Sequence, residues 1–231
     1  MLARDQVLSK MIIILSSSSM GVGLIRSVGA GVVLALGAAV VPAHAAQPVV
    51  VAVDGTLCDL TKALAAGAAS VTCLIPPGGD PHSYRLKPSD RSQIAKSDLV
   101  LHIGFGLTPS AKKLQSPGMV VAVGEVALPS YGGSDPHVWH DPANSAAMVR
   151  VISSSLAPVL PASDRAALQQ RTARAVAVLQ ALKSWEAKQF SSLPPAQRVL
   201  VTDHRTYSHL CLLYTSPSPR DLSTSRMPSS A

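Results

Sequence analysis

The chain has 231 residues, 47% of them apolar and only 3% aromatic, with 20 basic against 13 acidic side chains for a net charge of +7. That apolar content excludes a wholly disordered chain. Discounting residues 1–45 and 211–231 leaves 15 basic and 11 acidic residues, a charge of +4 with no Lys/Arg cluster, which speaks against a nucleic-acid partner.

Residues 1–45 read as a signal peptide. Arg26 provides the positive start, Ser27 to Val41 is small and apolar, and Ala43-His44-Ala45 fits the cleavage pattern that leaves Ala46 as the mature N-terminus. A membrane span needs about 20 apolar residues and this core has about 15, so cleavage is the expectation. Arg4, Asp5 and Lys10 suggest an over-extended start, with Met11 or Met20 as the initiator. No Cys follows the cleavage site, so no lipid anchor is expected.

From 46 to 160, short apolar runs alternate with amphipathic segments, the pattern of an α/β lobe with a parallel sheet. Strands are expected at Val49–Val53, Val71–Ile75, Leu99–Ile103 and Met119–Val123, with a helix from Leu57 to Ala66. Pro88 suits the first turn of a short helix, and Asp141 with Pro142 marks the start of another. Cys58 and Cys73 fall on neighbouring elements of one βαβ unit. In an exported protein they form either a disulfide or a pair of small buried hydrophobes.

Residues 161–193 differ in kind. Ala167, Leu168, Ala175, Val178, Leu179, Leu182 and Trp185 recur at helical spacing from Ser163 to Ser191, with no Gly or Pro between. A helix of about 27 residues spans about 40 Å, long enough to join two lobes as a strut. Pro194 and Pro195 end it, and Val199–Thr202 is the expected first strand of a second lobe, begun in 194–210 and then cut. Residues 211–231 lack hydrophobic periodicity. Codons for Cys211 to Asp221 and for Arg226 to Ala231 can be written as a string that resembles a transposase-type sequencing adapter, so the natural sequence is expected to end near Leu210.

The tripeptide Asp-Pro-His occurs twice, in GGDPHSY and in SDPHVWHDP, and a third His follows an apolar run in VLVTDHRTYSH. One such tripeptide is expected roughly once per hundred chains of this length, so two copies call for a cause. Histidine is the commonest transition-metal ligand, and three of them in loops after strands suggest a divalent-metal site at the strand ends. Pro81 and Pro136 stiffen the backbone before His82 and His137. Asp80 and Asp135 are the expected acceptors behind those loops.

These motifs, GGDPHSYRLKPSD, DPHVWHDPANS and the HRTYSH region, resemble in order the three ligand loops of the cluster A-I metal receptors. Those are the periplasmic solute-binding proteins of ABC transporters for zinc and manganese. The resemblance covers nearly all of 48–210. It implies a two-lobed α/β fold joined by a long helix, here with the second lobe largely missing. It implies metal ligands His82, His137 and His204, with a fourth, a carboxylate of the second lobe, beyond residue 210. It also implies a monomeric periplasmic receptor that passes its metal to an ABC permease in the inner membrane, and not an enzyme.

Three imidazoles suit tetrahedral Zn²⁺. Manganese prefers oxygen donors, and its receptors in this family usually carry Glu where His204 stands. Zn²⁺ is therefore the expected transported ligand, with a manganese or iron receptor of the same fold as the alternative. A zinc hydrolase would share the three-His chemistry, but there is no HExxH motif, and Glu125 and Glu186 lie outside the ligand loops. His102 is expected to be structural, Trp139 to pack beneath its loop, and His140 to be either solvated or behind a ligand. No role is assigned to His209.

Overall fold

The computed structural model describes residues 46–194, 197, 198, 200, 202 and 204–214. The signal expected at 1–45, residues 215–231 of the expected adapter segment, and residues 195, 196, 199, 201 and 203 lie outside them. Four apolar runs form β1 (Val49–Ala52), β2 (Ser70–Cys73), β3 (Leu99–His102) and β4 (Met119–Ala122). Around them lie α1 (Gly55–Ala65), α2 (Pro88–Ile94), α3 (Val123–Ala127), α4 (Pro142–Val159), α5 (Arg165–Ser191) and α6 (Ser208–Tyr214).

The sheet is parallel throughout, in the order β2-β1-β3-β4, with Val50 opposite both Val71 and Leu99. From β2 the chain crosses over β1 to reach β3. Loops leaving the carboxyl ends therefore diverge on either side of the β1–β3 boundary, where open α/β sheets bind ligands. Val50, Ala52, Leu99 and Leu101 face one core, and Val51, Val53 and Val100 face a second. Both faces are dry, as a parallel sheet requires. The first core is filled by residues of α1 and α4, among them Leu57, Leu64, Met148 and Ile152. The second holds Ile94 of α2 with Leu74, Ile75 and Ala111.

The strands stop slightly short of their apolar runs. Leu74 and Ile75 nevertheless donate their amides to the carbonyls of Ala52 and Val53 at 3.0 Å, so the missing residues stay tied to β1. The expected end of the fourth run, Val123, instead opens the short helix α3. The Gly124 amide donates to the Ile103 carbonyl at 2.8 Å, an approach that a Cβ at Gly124 would block, since it would lie 2.7 Å from that oxygen. Asp54 caps α1 by accepting the Leu57 amide at 3.0 Å. Asp141 caps α4 through the Ala143 amide at 2.7 Å, with Pro142 at the first helical position.

A 3-10 turn at Ala162–Asp164 leads into α5, which has the expected 27 residues. It does not stand clear of the lobe. Leu168, Val176 and Leu179 are buried against the first core, and the Thr172 hydroxyl donates to Ser153 of α4 at 2.7 Å. The expected apolar series needs two corrections: Val176 belongs to the buried face, and Trp185 is 54% exposed. Trp185 lies off the row through Leu168, Val176 and Leu179, which explains its exposure.

The expected strand at Val199–Thr202 falls half outside the described residues, which do not include 199 and 201. Leu200 and Thr202, the two of its residues that are described, have no strand structure. A strand exists only by pairing, and no described strand pairs with this segment. Helix α6 runs across Leu210, so Cys211 to Tyr214 continue the turn begun at Ser208. Cys58 and Cys73 are joined as a disulfide, with Cα atoms 5.5 Å apart. The bridge links the first turns of α1 to the end of β2. Among the described residues, no helix is long and apolar enough to cross a membrane.

Candidate metal centre

The two Asp-Pro-His tripeptides adopt the same local structure. Asp80 Oδ1 accepts the His82 amide at 2.9 Å, and Asp135 Oδ1 accepts the His137 amide at 3.0 Å. In each case the intervening Pro has no amide to compete and holds φ near its fixed value, so the aspartate closes a turn onto the residue that follows. One turn lies in the loop after β2 and the other in the loop after α3. Both therefore belong to connections leaving the carboxyl ends of strands, on opposite sides of the β1–β3 crossover.

From there the two loops part. Asp135 Oδ1 also lies 2.7 Å from His137 Nδ1, so the ring donates Nδ1–H to the carboxylate and presents Nε2 as its lone pair. Asp80 instead accepts the Ser83 hydroxyl at 2.7 Å and braces the loop. The expected acceptor role thus divides: Asp80 supports the backbone, and Asp135 orients the imidazole itself. Burial alone would raise the Asp135 carboxyl, but hydrogen bonds from the His137 amide and ring and from Ser208 outweigh it and hold it below its usual range. The Ser83 hydroxyl and then the His82 amide do the same for exposed Asp80.

His82 Nε2 and His137 Nε2 are 2.9 Å apart. Burial, then the neighbouring His137, push the His82 imidazole below its ordinary value, which favours the form with a lone pair to offer. His204 stands beside them, its ring 5.3 Å from that of His82 and 5.2 Å from that of His137. One nitrogen from each of the three lies within 4.8 Å of the others. A tetrahedral Zn²⁺ with Zn–N of about 2.0–2.1 Å sets its ligand nitrogens about 3.3 Å apart. The His82–His137 pair therefore needs only a few tenths of an ångström of opening. His204 is exposed, and its Nε2 is 2.8 Å from the Thr206 hydroxyl.

The other histidines sort differently. His102 ends β3 half-buried, and burial pushes its imidazole down against the opposing pull of Glu125. His140 packs on Tyr207 with ring centroids 4.4 Å apart. Trp139 packs edge-on against His137 at 5.3 Å. His209 is 6% exposed, with Nε2 3.2 Å from the Asp135 carbonyl and Nδ1 3.3 Å from Asn144 Nδ2. Its neighbours come from 65 and 74 residues earlier, so no local pattern could have revealed its place. A cavity of about 410 Å³ lies beyond it, lined by Leu128, Tyr131, Asp141, Asn144 and His209 and by none of the three clustered histidines.

Two imidazoles carried by loops of the parallel α/β sheet and a third carried by the segment after α5 form a candidate metal-binding cluster. The chain belongs to the zinc-uptake complex component A (ZnuA) family, whose model matches residues 50–229. It is similar to the zinc-binding protein TroA of Treponema pallidum, with 31% identity over 182 residues, covering 74% of this chain and 59% of TroA. The solved structure of that periplasmic protein superposes with a TM-score of 0.68 at 30% identity, covering 73% of this chain and 64% of the other. The Fe(III)-bound structure of YtgA from Chlamydia trachomatis gives a TM-score of 0.67 at 26% identity, covering 75% and 64%. The manganese-binding lipoprotein MntA of Halalkalibacterium halodurans is 32% identical over 159 residues, covering 65% of this chain and 52% of MntA. The chain thus spans between about half and two-thirds of the length of these proteins. All three are named for the metal they bind, or shown with it, and not for a catalysed reaction.

Proposed function

We propose that this chain is the metal-holding part of a periplasmic zinc receptor, monomeric and exported, which hands Zn²⁺ to an ABC importer in the inner membrane. The observation that carries the reading is the convergence of His82, His137 and His204, with ligand atoms within 4.8 Å. Zn²⁺ is favoured because all three donors are imidazole nitrogens, and a fourth position is left for a carboxylate or water. The Asp135–His137 contact supplies the carboxylate support that zinc-bound imidazoles ordinarily have.

A manganese or iron receptor is the second reading, supported by similarity to proteins named for those metals. Hydrolysis is disfavoured by the placement of the carboxylates. Asp80 and Asp135 are both engaged with their own loops, and Glu125 Oε1 accepts the Phe105 amide at 2.6 Å. The test is a competition titration of Zn²⁺ against Mn²⁺ and Fe²⁺, with His82→Ala, His137→Ala, His204→Ala and His102→Ala alongside. Each of the first three should weaken zinc binding by about two orders of magnitude or more, and His102→Ala should leave it unchanged. Equal losses at all four would sink the assignment, and a preference for Mn²⁺ would select the second reading.

A further inference from the structure

Asp135 joins two segments that are far apart in the chain. Its Oδ1 serves the His137 amide and ring, while its Oδ2 accepts the Ser208 amide at 3.0 Å, 73 residues later. Its main-chain carbonyl accepts the Tyr131 hydroxyl at 3.0 Å and lies 3.2 Å from His209 Nε2. A carbonyl can only accept, so Nε2 of His209 carries the hydrogen. Asn144 Nδ2 donates to the Val138 carbonyl at 3.0 Å, which fixes the orientation of that amide, so His209 Nδ1 accepts from it at 3.3 Å. Both ring nitrogens are thus engaged by the lobe that carries His137, with the Tyr131 ring 4.8 Å away. A third tie comes from Arg205, whose guanidinium donates to the Ser134 hydroxyl at 3.3 Å.

His204 is exposed and sits on the same short segment, four residues before Ser208. Where its imidazole stands relative to the His82–His137 pair depends on where that segment is anchored. We propose that His209 is a positioning residue of the metal centre: clamped between Asn144 and the Asp135 carbonyl, it docks the 204–209 segment on the Asp135 loop and so sets the third imidazole beside the other two. The inference rests on the three-histidine reading above. It adds that His137 and His204 are supported by one shared carboxylate, and that the buried His209 keeps them in register.

The experiment uses the full chain, with Zn²⁺ affinity measured against a chromophoric chelator and the coordination shell read from the visible spectrum of bound Co²⁺. His209→Ala should weaken Zn²⁺ binding about 10- to 100-fold, the range seen for outer-shell partners. Its Co²⁺ spectrum should shift to that of His204→Ala. In a His204→Ala background the same substitution should cost nothing further, because the ligand it positions is gone. Ser208→Pro removes both the amide hydrogen and the hydroxyl that Ser208 offers Asp135, at the first residue of α6 where proline is tolerated, and should reproduce the spectral shift even if His209→Ala does not fold. His209→Gln keeps a donor for the carbonyl and should recover most of the affinity. Wild-type affinity and spectrum in His209→Ala, an undiminished loss in the His204→Ala background, or no recovery in His209→Gln would each overturn the proposal. If His137→Ala itself binds Zn²⁺ as wild type does, the three-histidine reading fails instead.

Discussion

Asp54 is 5% exposed at the mouth of the sheet, and only one of its carboxylate oxygens, Oδ1, has a hydrogen-bond partner among the described residues. Burial pushes its carboxyl up from 3.8 to about 6. The sign follows from proton counting. Between those values the folded chain holds a proton that the unfolded chain has released, so stability falls as pH rises through the window. At about 1.4 kcal/mol per pH unit of displacement, the loss by neutral pH is of order 2–3 kcal/mol. Asp54→Asn keeps a capping side chain and removes the charge. Urea unfolding of the two proteins at pH 4.5 and 7.0 should show the variant gaining about that much relative to wild type at the higher pH, and no relative gain would contradict it. At the metal centre the sign is reversed in its effect on binding. His82 is held below its ordinary 6.5, and only an imidazole without the second proton can ligate. Zinc affinity should therefore be level near pH 7.5 and weaken toward pH 5.5, with His82 protonation contributing no more than ~10-fold, measured by chelator competition with the chelator's own protonation accounted for.

Helices α1 and α5 are locked by one side chain. Arg171 Nε donates to the Leu64 carbonyl at 2.6 Å, and its Nη2 lies 3.4 Å from the Ala65 carbonyl, so a guanidinium caps the negative end of α1. The Lys183–Asp141 ion pair at 3.3 Å joins α5 to the start of α4, but the lysine side chain is 39% exposed. Charge-assisted hydrogen bonds in a partly buried setting contribute about 1.5–3 kcal/mol, and exposed ion pairs under about 1 kcal/mol. Arg171→Ala should consequently lower the denaturation free energy by about 2 kcal/mol and Lys183→Ala by a few tenths to 1 kcal/mol. A reversed order would show that the salt bridge, and not the cap, holds α5 down. The Cys58–Cys73 bridge closes a loop with a sequence separation of 15. Chain-entropy accounting assigns such a loop about 3 kcal/mol, so the Cys58→Ser/Cys73→Ser double variant should unfold that much more readily, by a measurement unaffected by reductant.

Across the whole molecule, burial along α5 fades after Leu179, and Trp185, Leu193 and Leu200 are 54%, 38% and 53% exposed. The His204 segment returns from that end to the Asp135 loop, so the three-histidine cluster closes a long excursion of the chain. A metal that binds only the folded arrangement stabilises all of it. At a free Zn²⁺ concentration 100 times the dissociation constant, the gain is about 2.7 kcal/mol. Thermal unfolding should therefore shift upward with Zn²⁺ and return with a chelator, and the shift should be absent in His137→Ala. An unchanged transition in wild type at saturating Zn²⁺ would contradict a preformed site.

The sequence by itself determined what depends on near neighbours. Apolar runs located four strands to within two residues, most directly the central β1 and β3, whose burial on both faces demands apolar side chains along nearly their whole length. The uninterrupted helical period produced the 27 residues of α5. The repeated Asp-Pro-His marked both turns, because an aspartate that closes onto the residue after a proline is a three-residue device. Tertiary structure decided the rest. The order β2-β1-β3-β4, which brings two loops 55 residues apart to one place, depends on which edges pair and not on any local preference. Asp80 and Asp135 are identical in their tripeptides, yet only the second meets its imidazole, and only the second also receives Ser208 and His209 from 73 and 74 residues later in the chain. Val199–Thr202 has the composition of a strand, but Leu200 and Thr202 are not in one, since composition supplies a propensity and a paired neighbour supplies the hydrogen bonds.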